Sequence, residues 1–290
     1  MLHEILFKDT KTGATIVSFG SGRVALKISG TWNKYYIDLY KNHGCTFVWI
    51  QSRDGSDSLE NVIREQLSNE LQLMGRFTNL HLVEQADFLR TLTLQLTTRS
   101  TLNLSNLRLE SLRTSAAHIK LISRLPKPLR YLMLSEYNEA DFHSLSYLAQ
   151  LEGLELGPAR KLASFEGLSK LTEITTLAVW YAPHLFNIAE LRACKKLEEL
   201  KFNHCKAIGS VEVLGGITSL KKIHLNNCGI IKSLRPLGHL NRVEEILFTE
   251  DTIITDGAIR QLASISSLQT VLFKNRRHYD IARENLLERS

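Results

Sequence analysis

The 290-residue chain contains no run of about 18 uninterrupted apolar residues, and its opening, MLHEILFKDTKTG, lacks the basic stretch, apolar core and cleavage site of a secretory leader. Those absences argue against a membrane-spanning helix and set the expectation of a soluble, cytoplasmic protein with no membrane partner. Cysteine is scarce. Cys45, Cys194, Cys205 and Cys228 are too few and too unevenly spaced for a disulfide framework, so reduced thiols are expected. Motifs that carry chemistry are also missing: no G-x-x-x-x-G-K-[ST], H-E-x-x-H, G-x-S-x-G or dinucleotide fingerprint occurs. Cys45 follows His43 by two residues, but no third group orients the pair, and CTFVWI reads as a core strand. The FGSGR run reads as a hairpin turn. No catalytic residue, cofactor or metal is therefore expected.

What is present is a repeat. An apolar residue followed by apolar residues three and five positions later recurs as LSNLRL at Leu104, LRYLML at Leu129, LEGLEL at Leu151 and ITTLAV at Ile174. It continues as LEELKF at Leu197, LKKIHL at Leu220, VEEILF at Val243 and LQTVLF at Leu268. The starts are 22 to 25 residues apart, and chance apolar spacing does not sustain a period through eight copies. Alternation in an extended segment points the leucines to one side and the variable residues to the other. A unit this short cannot bury its apolar side alone, so units must stack into a parallel sheet with the variable residues on an inner surface.

The copies LEELKFNHC and LKKIHLNNC resemble the leucine-rich repeat family, whose unit reads L-x-x-L-x-L-x-x-N/C before a variable half. The variable halves, such as KLASFEGLSKLTE, resemble the short internalin-like class. The resemblance covers residues 100 to 275 and implies an α/β solenoid, with a curved parallel sheet on the concave face and turns, 3₁₀ segments and short helices on the convex face. It also resembles small intracellular bacterial repeat proteins, some of which block a toxin, which implies a binding role without enzymatic activity. The two 25-residue units leave room for helices at about 256 to 265, with Thr255 as N-cap, and from Thr114.

Residues 1 to 75 do not fit the repeat. HEILFK, ATIVSF, RVALKIS, KYYIDLY and CTFVWIQ predict a small antiparallel sheet. The stripe Leu59, Val62, Ile63, Leu67, Leu71 and Met74 predicts an amphipathic helix. This reads as an α+β cap or small domain, with the repeat domain at 76 to 290, irregular between 76 and 103 and closed by a helical cap from about 276.

The cluster of His204, Cys205, His224 and Cys228 suggests zinc until placed in the repeat. Counting the first leucine as position 1, both cysteines fall at position 9, an inward ladder site, while His204 is at position 8 and His224 at position 5. One metal cannot draw tetrahedral ligands from both sides of a sheet. Odd positions give the candidate partner surface: Tyr131, Trp180, Lys201, Asn203, Lys222, His224 and Asn226, with Tyr181 and His204 at the rim. Exposed aromatics suit an interface, and the neighbouring lysines and histidines suggest a partner bearing carboxylates. The four outward columns hold four basic and six acidic residues despite the formal charge of +6, which disfavours nucleic acid. The expectation is a monomeric module binding one specific protein on its concave face. An activity in residues 1 to 75, or nucleic-acid binding through basic edges or KNRRH, are the alternatives.

Overall fold

The computed structural model describes residues 3–52, 58–98, 101–120 and 124–287. The chain forms two compact units, Met1–Leu129 and Arg130–Ser290.

In the first unit, β1 (His3–Lys8), β2 (Thr15–Phe19) and β3 (Val24–Ile28) pair antiparallel in succession. From there β4 (Phe47–Ser52), β5 (Glu70–Gly75), β6 (Thr91–Leu96) and β7 (Ser111–Ser115) each add in parallel to the strand before. Between β3 and β4 the KYYIDLY segment, expected as a strand, is the helix α1 (Tyr36–Asn42). A parallel return must cross the sheet, and Tyr36 and Leu39, one helical turn apart, are the two residues it buries. CTFVWIQ consequently pairs parallel to β3, with Leu26 opposite Val48, and not antiparallel.

The long amphipathic helix expected over 59 to 74 is divided. Helix α2 (Ser58–Arg64) buries Leu59 and Val62, but Gln66 turns left-handed at φ 46° and the chain enters β5. Leu71, near the end of the helical stripe, also falls in a period of two with Leu73, outside that stripe, and the two pair with Leu92 and Leu94. A ladder on both sides of β5 outweighs local helix propensity.

The copy read at Leu104 is out of register by five residues. Leu112 pairs with Leu92, so the unit begins at Leu109, and Ser111, Arg113 and Ser115 take positions 3, 5 and 7 in place of Asn106, Arg108 and Glu110. Leu104 and Leu107 are buried off the strand, which is why their spacing imitates the motif.

The second unit holds β8 (Tyr131–Ser135), β9 (Gly153–Leu156), β10 (Thr176–Trp180), β11 (Glu199–Asn203) and β12 (Lys222–Asn226), all parallel in sequence. After β13 (Ile230–Ile231), β14 (Glu245–Phe248) joins β12; after β15 (Ile253–Ile254), β16 (Thr270–Phe273) joins β14. The short strands β13 and β15 pair with each other on the return path. Register is one residue per repeat position: Leu154, Leu177, Leu200, Ile223 and Ile246 fall in one row at position 4, and each is fully buried. Burying each such side chain contributes about 1.5–3 kcal/mol.

Return paths are 3₁₀ segments, among them Ala189–Ala193, Glu212–Gly216 and Arg235–His239. Of the helix expected from Thr114, residues 121–123 lie outside the described residues; what is described there and over 256 to 265 is 3₁₀, at Ala116–His118 and Arg260–Ser264. Ile259, Leu262 and Ile265 are buried at a spacing of three, the 3₁₀ period. Thr255 does not cap them, since its hydroxyl donates to Lys232 O at 3.2 Å in the preceding repeat. After β16, among the described residues, only Arg283–Leu286 is helical (α3), with Leu286 buried. Among the described residues no helix is long and apolar enough to cross a membrane.

Candidate functional site

Five strands of the second unit, β8, β10, β11, β12 and β14, end in the same turn. At position 8, Glu136, Tyr181, His204, Asn227 and Glu250 all have φ between 51° and 58°, a left-handed conformation that non-glycine residues adopt at a cost of about 1–2 kcal/mol. A hydrogen-bond ladder supports it: the N–H groups of Tyr181, His204 and Asn227 donate to Asn203, Asn226 and Thr249 O, at 2.8, 3.0 and 3.2 Å. Pro158 has no N–H, and Ala159 donates to Trp180 O in its place at 3.2 Å. The turn also stacks side chains. The rings of Tyr181 and His204 lie 4.4 Å apart at 25°, and His204 Nδ1 is 2.6 Å from Asn203 Oδ1.

Beneath the turn, at position 9, Cys205 and Cys228 are fully buried. Their thiols reach Val179 O at 3.5 Å and Phe202 O at 3.6 Å, position-6 carbonyls of the preceding repeats. In the longer next repeat Thr252 takes over, donating to Leu225 O at 2.5 Å and accepting the N–H of Cys228 at 2.9 Å. The two thiols therefore lie inside and the two imidazoles on the other side of the sheet. Burial pushes the thiols of Cys45 and Cys205 up to about 11 and those of Cys194 and Cys228 up to about 12. None is poised as a nucleophile. At pH 8 a thiol-reactive disulfide reagent should leave all four unmodified in the native chain and label them only on unfolding; fast native labelling would contradict their burial. Because these folded-state values lie above the ordinary thiol value of 9.0, the associated stability is present below pH 9 and is lost as pH rises towards 11–12.

The outward positions are partly exposed. Tyr131 and Tyr181 stand 52% and 51% exposed, and Trp180, Lys201, Asn203, His204, His224 and Asn226 are half-buried. The cations in this region have partners. Lys201 lies 3.2 Å from Glu199, Lys222 lies 3.8 Å from the same carboxylate, and His224 Nε2 is 2.5 Å from Glu245. Thr249 donates to Asn226 Oδ1 at 2.7 Å. Tyr131 OH donates to Glu152 at 3.1 Å, a bond that raises the phenol's pKa, and Arg130 holds the same carboxylate at 2.6 Å. Over positions 3, 5, 7 and 8 of the unit, Glu136, Glu155, Glu199, Glu245 and Glu250 outnumber Lys201, Lys222 and Lys274. The face is acidic although the chain is basic.

Within the first unit, residues that pattern alone did not single out as a site cluster on one face of its own sheet. Phe47 and Trp49 pack with Val17 and Ala25, and Phe19 and Met74 close the cluster. Lys27 Nζ sits 4.2 Å above Trp49 and the Arg23 guanidinium 4.6 Å above Phe47, covering these rings. On return loops of the second unit, ligand atoms of Asp141, His143 and Glu166 lie within 4.8 Å of one another, with Asp141 already accepting from His143 N at 2.9 Å.

No protein-family model matches the chain, and no curated protein matches it. Among solved structures it is similar to an internalin (InlF) from Listeria monocytogenes, at 19% identity over 87% of each chain with a TM-score of 0.45. It is also similar to a Leptospira interrogans leucine-rich-repeat protein, at 15% identity over 87% of this chain and 78% of that one, TM-score 0.44. A third is the leucine-rich repeat domain of the type III effector XopL, at 19% identity, 87% and 76% coverage and a TM-score of 0.42.

Proposed function

We propose that this leucine-rich-repeat solenoid is a non-enzymatic, cytoplasmic module that binds one specific protein on the outward face of its second unit, around Tyr131, Trp180, Tyr181, Lys201 and His224. The observation that carries this reading is the pair of half-exposed tyrosines flanking Trp180 on a face whose regular backbone leaves those side chains no core to fill. Aromatics so placed are the usual anchors of protein interfaces. An inhibitory or toxin-blocking role fits a chain whose surface is preformed and whose cysteines are inert. In this reading the chain acts as a monomer, and residues 1–75 close the repeat stack, with the antiparallel β1–β2–β3 segment at its end.

The basic run after β16 supports nucleic-acid binding poorly. Arg276 donates to Glu250 O and Thr252 O, both at 3.3 Å, and His278 lies 2.9 Å from Ile254 O. These groups serve the cap.

The test is capture of the native partner from cell extract by the full chain, with its affinity then measured for Trp180→Ala and Lys201→Ala. Each should weaken binding about tenfold or more, the scale of an interface anchor, with an unchanged circular dichroism spectrum. Equal affinity in both variants would remove the assigned surface.

A further inference from the structure

We propose that the partner presents a lysine or arginine side chain, and that Glu155 on the outward face of β9 receives it; this rests on the binding face proposed above and names what that face selects. The outward residues of β9 and the position following it are Gly153, Glu155 and Gly157. Both glycines are occupied from their neighbours. A Cβ on Gly153 would fall 2.8 Å from Cδ1 of Tyr131, whose ring lies over it, and a Cβ on Gly157 would fall 2.7 Å from both Cβ and O of Trp180. Glu155 stands between, two residues from each glycine. At about 3.3 Å per residue its carboxylate root is roughly 7 Å from either aromatic position.

On its flanks Glu155 pairs in register with Met133 and Ala178, neither of which carries charge. Among the described residues the Glu155 carboxylate forms no hydrogen bond or ion pair, in contrast to the carboxylates of Glu152, Glu199 and Glu245. This stretch therefore offers one uncompensated, half-buried carboxylate, with the Tyr131 ring over the glycine on one side and the Cβ and main chain of Trp180 against the glycine on the other. A carboxylate in such a setting favours a cation, and a cation within about 6 Å of a ring face is further favoured by the ring quadrupole. The two lysines that suggested an acidic partner share the Glu199 carboxylate. Glu155 has no such counter-charge.

Fluorescence anisotropy of the full chain with a labelled Gly-Arg repeat peptide tests the assignment. Matched peptides carry citrulline or glutamate in place of arginine. The wild type should bind the arginine peptide about tenfold more tightly than the citrulline peptide, and Glu155→Gln and Trp180→Ala should each remove about that factor. Glu212→Gln, at an exposed glutamate on a return path, removes the same net charge and should bind as wild type. The proposal is overturned if the wild type fails to prefer arginine, or if Glu155→Gln binds as tightly as wild type. If the glutamate peptide binds and Trp180→Ala abolishes it, the binding face stands and its basic occupant is wrong. If neither peptide nor native partner responds to Trp180→Ala or Lys201→Ala, the face itself is wrong.

Discussion

Phe165→Ala is expected to lower the stability of the second unit by about 3–5 kcal/mol, the range for removing a fully buried phenylalanine. Phe165 has no exposed surface and stands at the centre of a ring series that runs across repeats. Phe142 meets it edge-on at 5.0 Å and 80°, Phe202 lies 6.0 Å away, and Tyr137 contacts Phe142 at 6.3 Å. Truncation removes the transfer free energy of the ring and leaves a cavity between turns whose backbones are fixed by strand pairing and cannot collapse onto it. Against a typical domain stability of about 5–15 kcal/mol the loss is large. Urea unfolding should show a lower midpoint at unchanged slope. Phe186→Ala, at a side chain 66% exposed, is the control and should fall within about 0.5 kcal/mol of wild type. Similar midpoints for the two variants would show that the ring series does not hold the repeats together.

Gly257→Val is expected to cost about 2–5 kcal/mol, combining about 1–2 for a left-handed branched residue with about 1–3 for overpacking. Gly257 has φ 63°, and a Cβ there would lie 2.1 Å from His278 O. That carbonyl belongs to the segment closing the C-terminal end. Next to it, Tyr279 OH accepts from Ile254 N at 3.0 Å and packs against Phe273 at 5.8 Å, and Asp280 Oδ1 accepts from Ile259 and Arg260 N at 2.8 Å each. Moving His278 away breaks these contacts together. Gly20→Ala, where nothing lies within 4 Å, should be neutral on the same measurement. A tolerated Gly257→Val would mean that the closing segment contributes little.

The repeat was legible because each residue of the Leu129 to Leu268 copies answers to one period, and strand pairing follows that register without a break. The sequence was ambiguous where a second pattern fitted equally well. Leu104 and Leu107 have the motif's spacing although the strand begins at Ser111, and Leu71 lies on a helical stripe as readily as on a strand. In both cases pairing with a neighbouring strand, invisible in a local window, decides. Alternation placed Trp180, Lys201 and His224 on the outward face, but not their company. Lys222 against Glu199 and His224 against Glu245 are contacts between repeats, 23 and 21 residues apart, whereas Lys201 meets Glu199 along its own strand. The turn at position 8 was hidden because Glu136, Tyr181 and Glu250 give no signal for a left-handed conformation, and only His204 and Asn227 are of types that favour it.

That turn ladder also ties each repeat to both of its neighbours. The N–H groups of Tyr181, His204 and Asn227 donate forward, to a carbonyl of the following repeat, while at the strand starts those of Thr175, Glu198, Lys221 and Glu244 donate back to the preceding one. Orphaned buried N–H groups are rare and poorly tolerated. A repeat removed from the middle of the series would therefore strand donors on both sides of the gap, so the repeats are expected to be lost together and not singly.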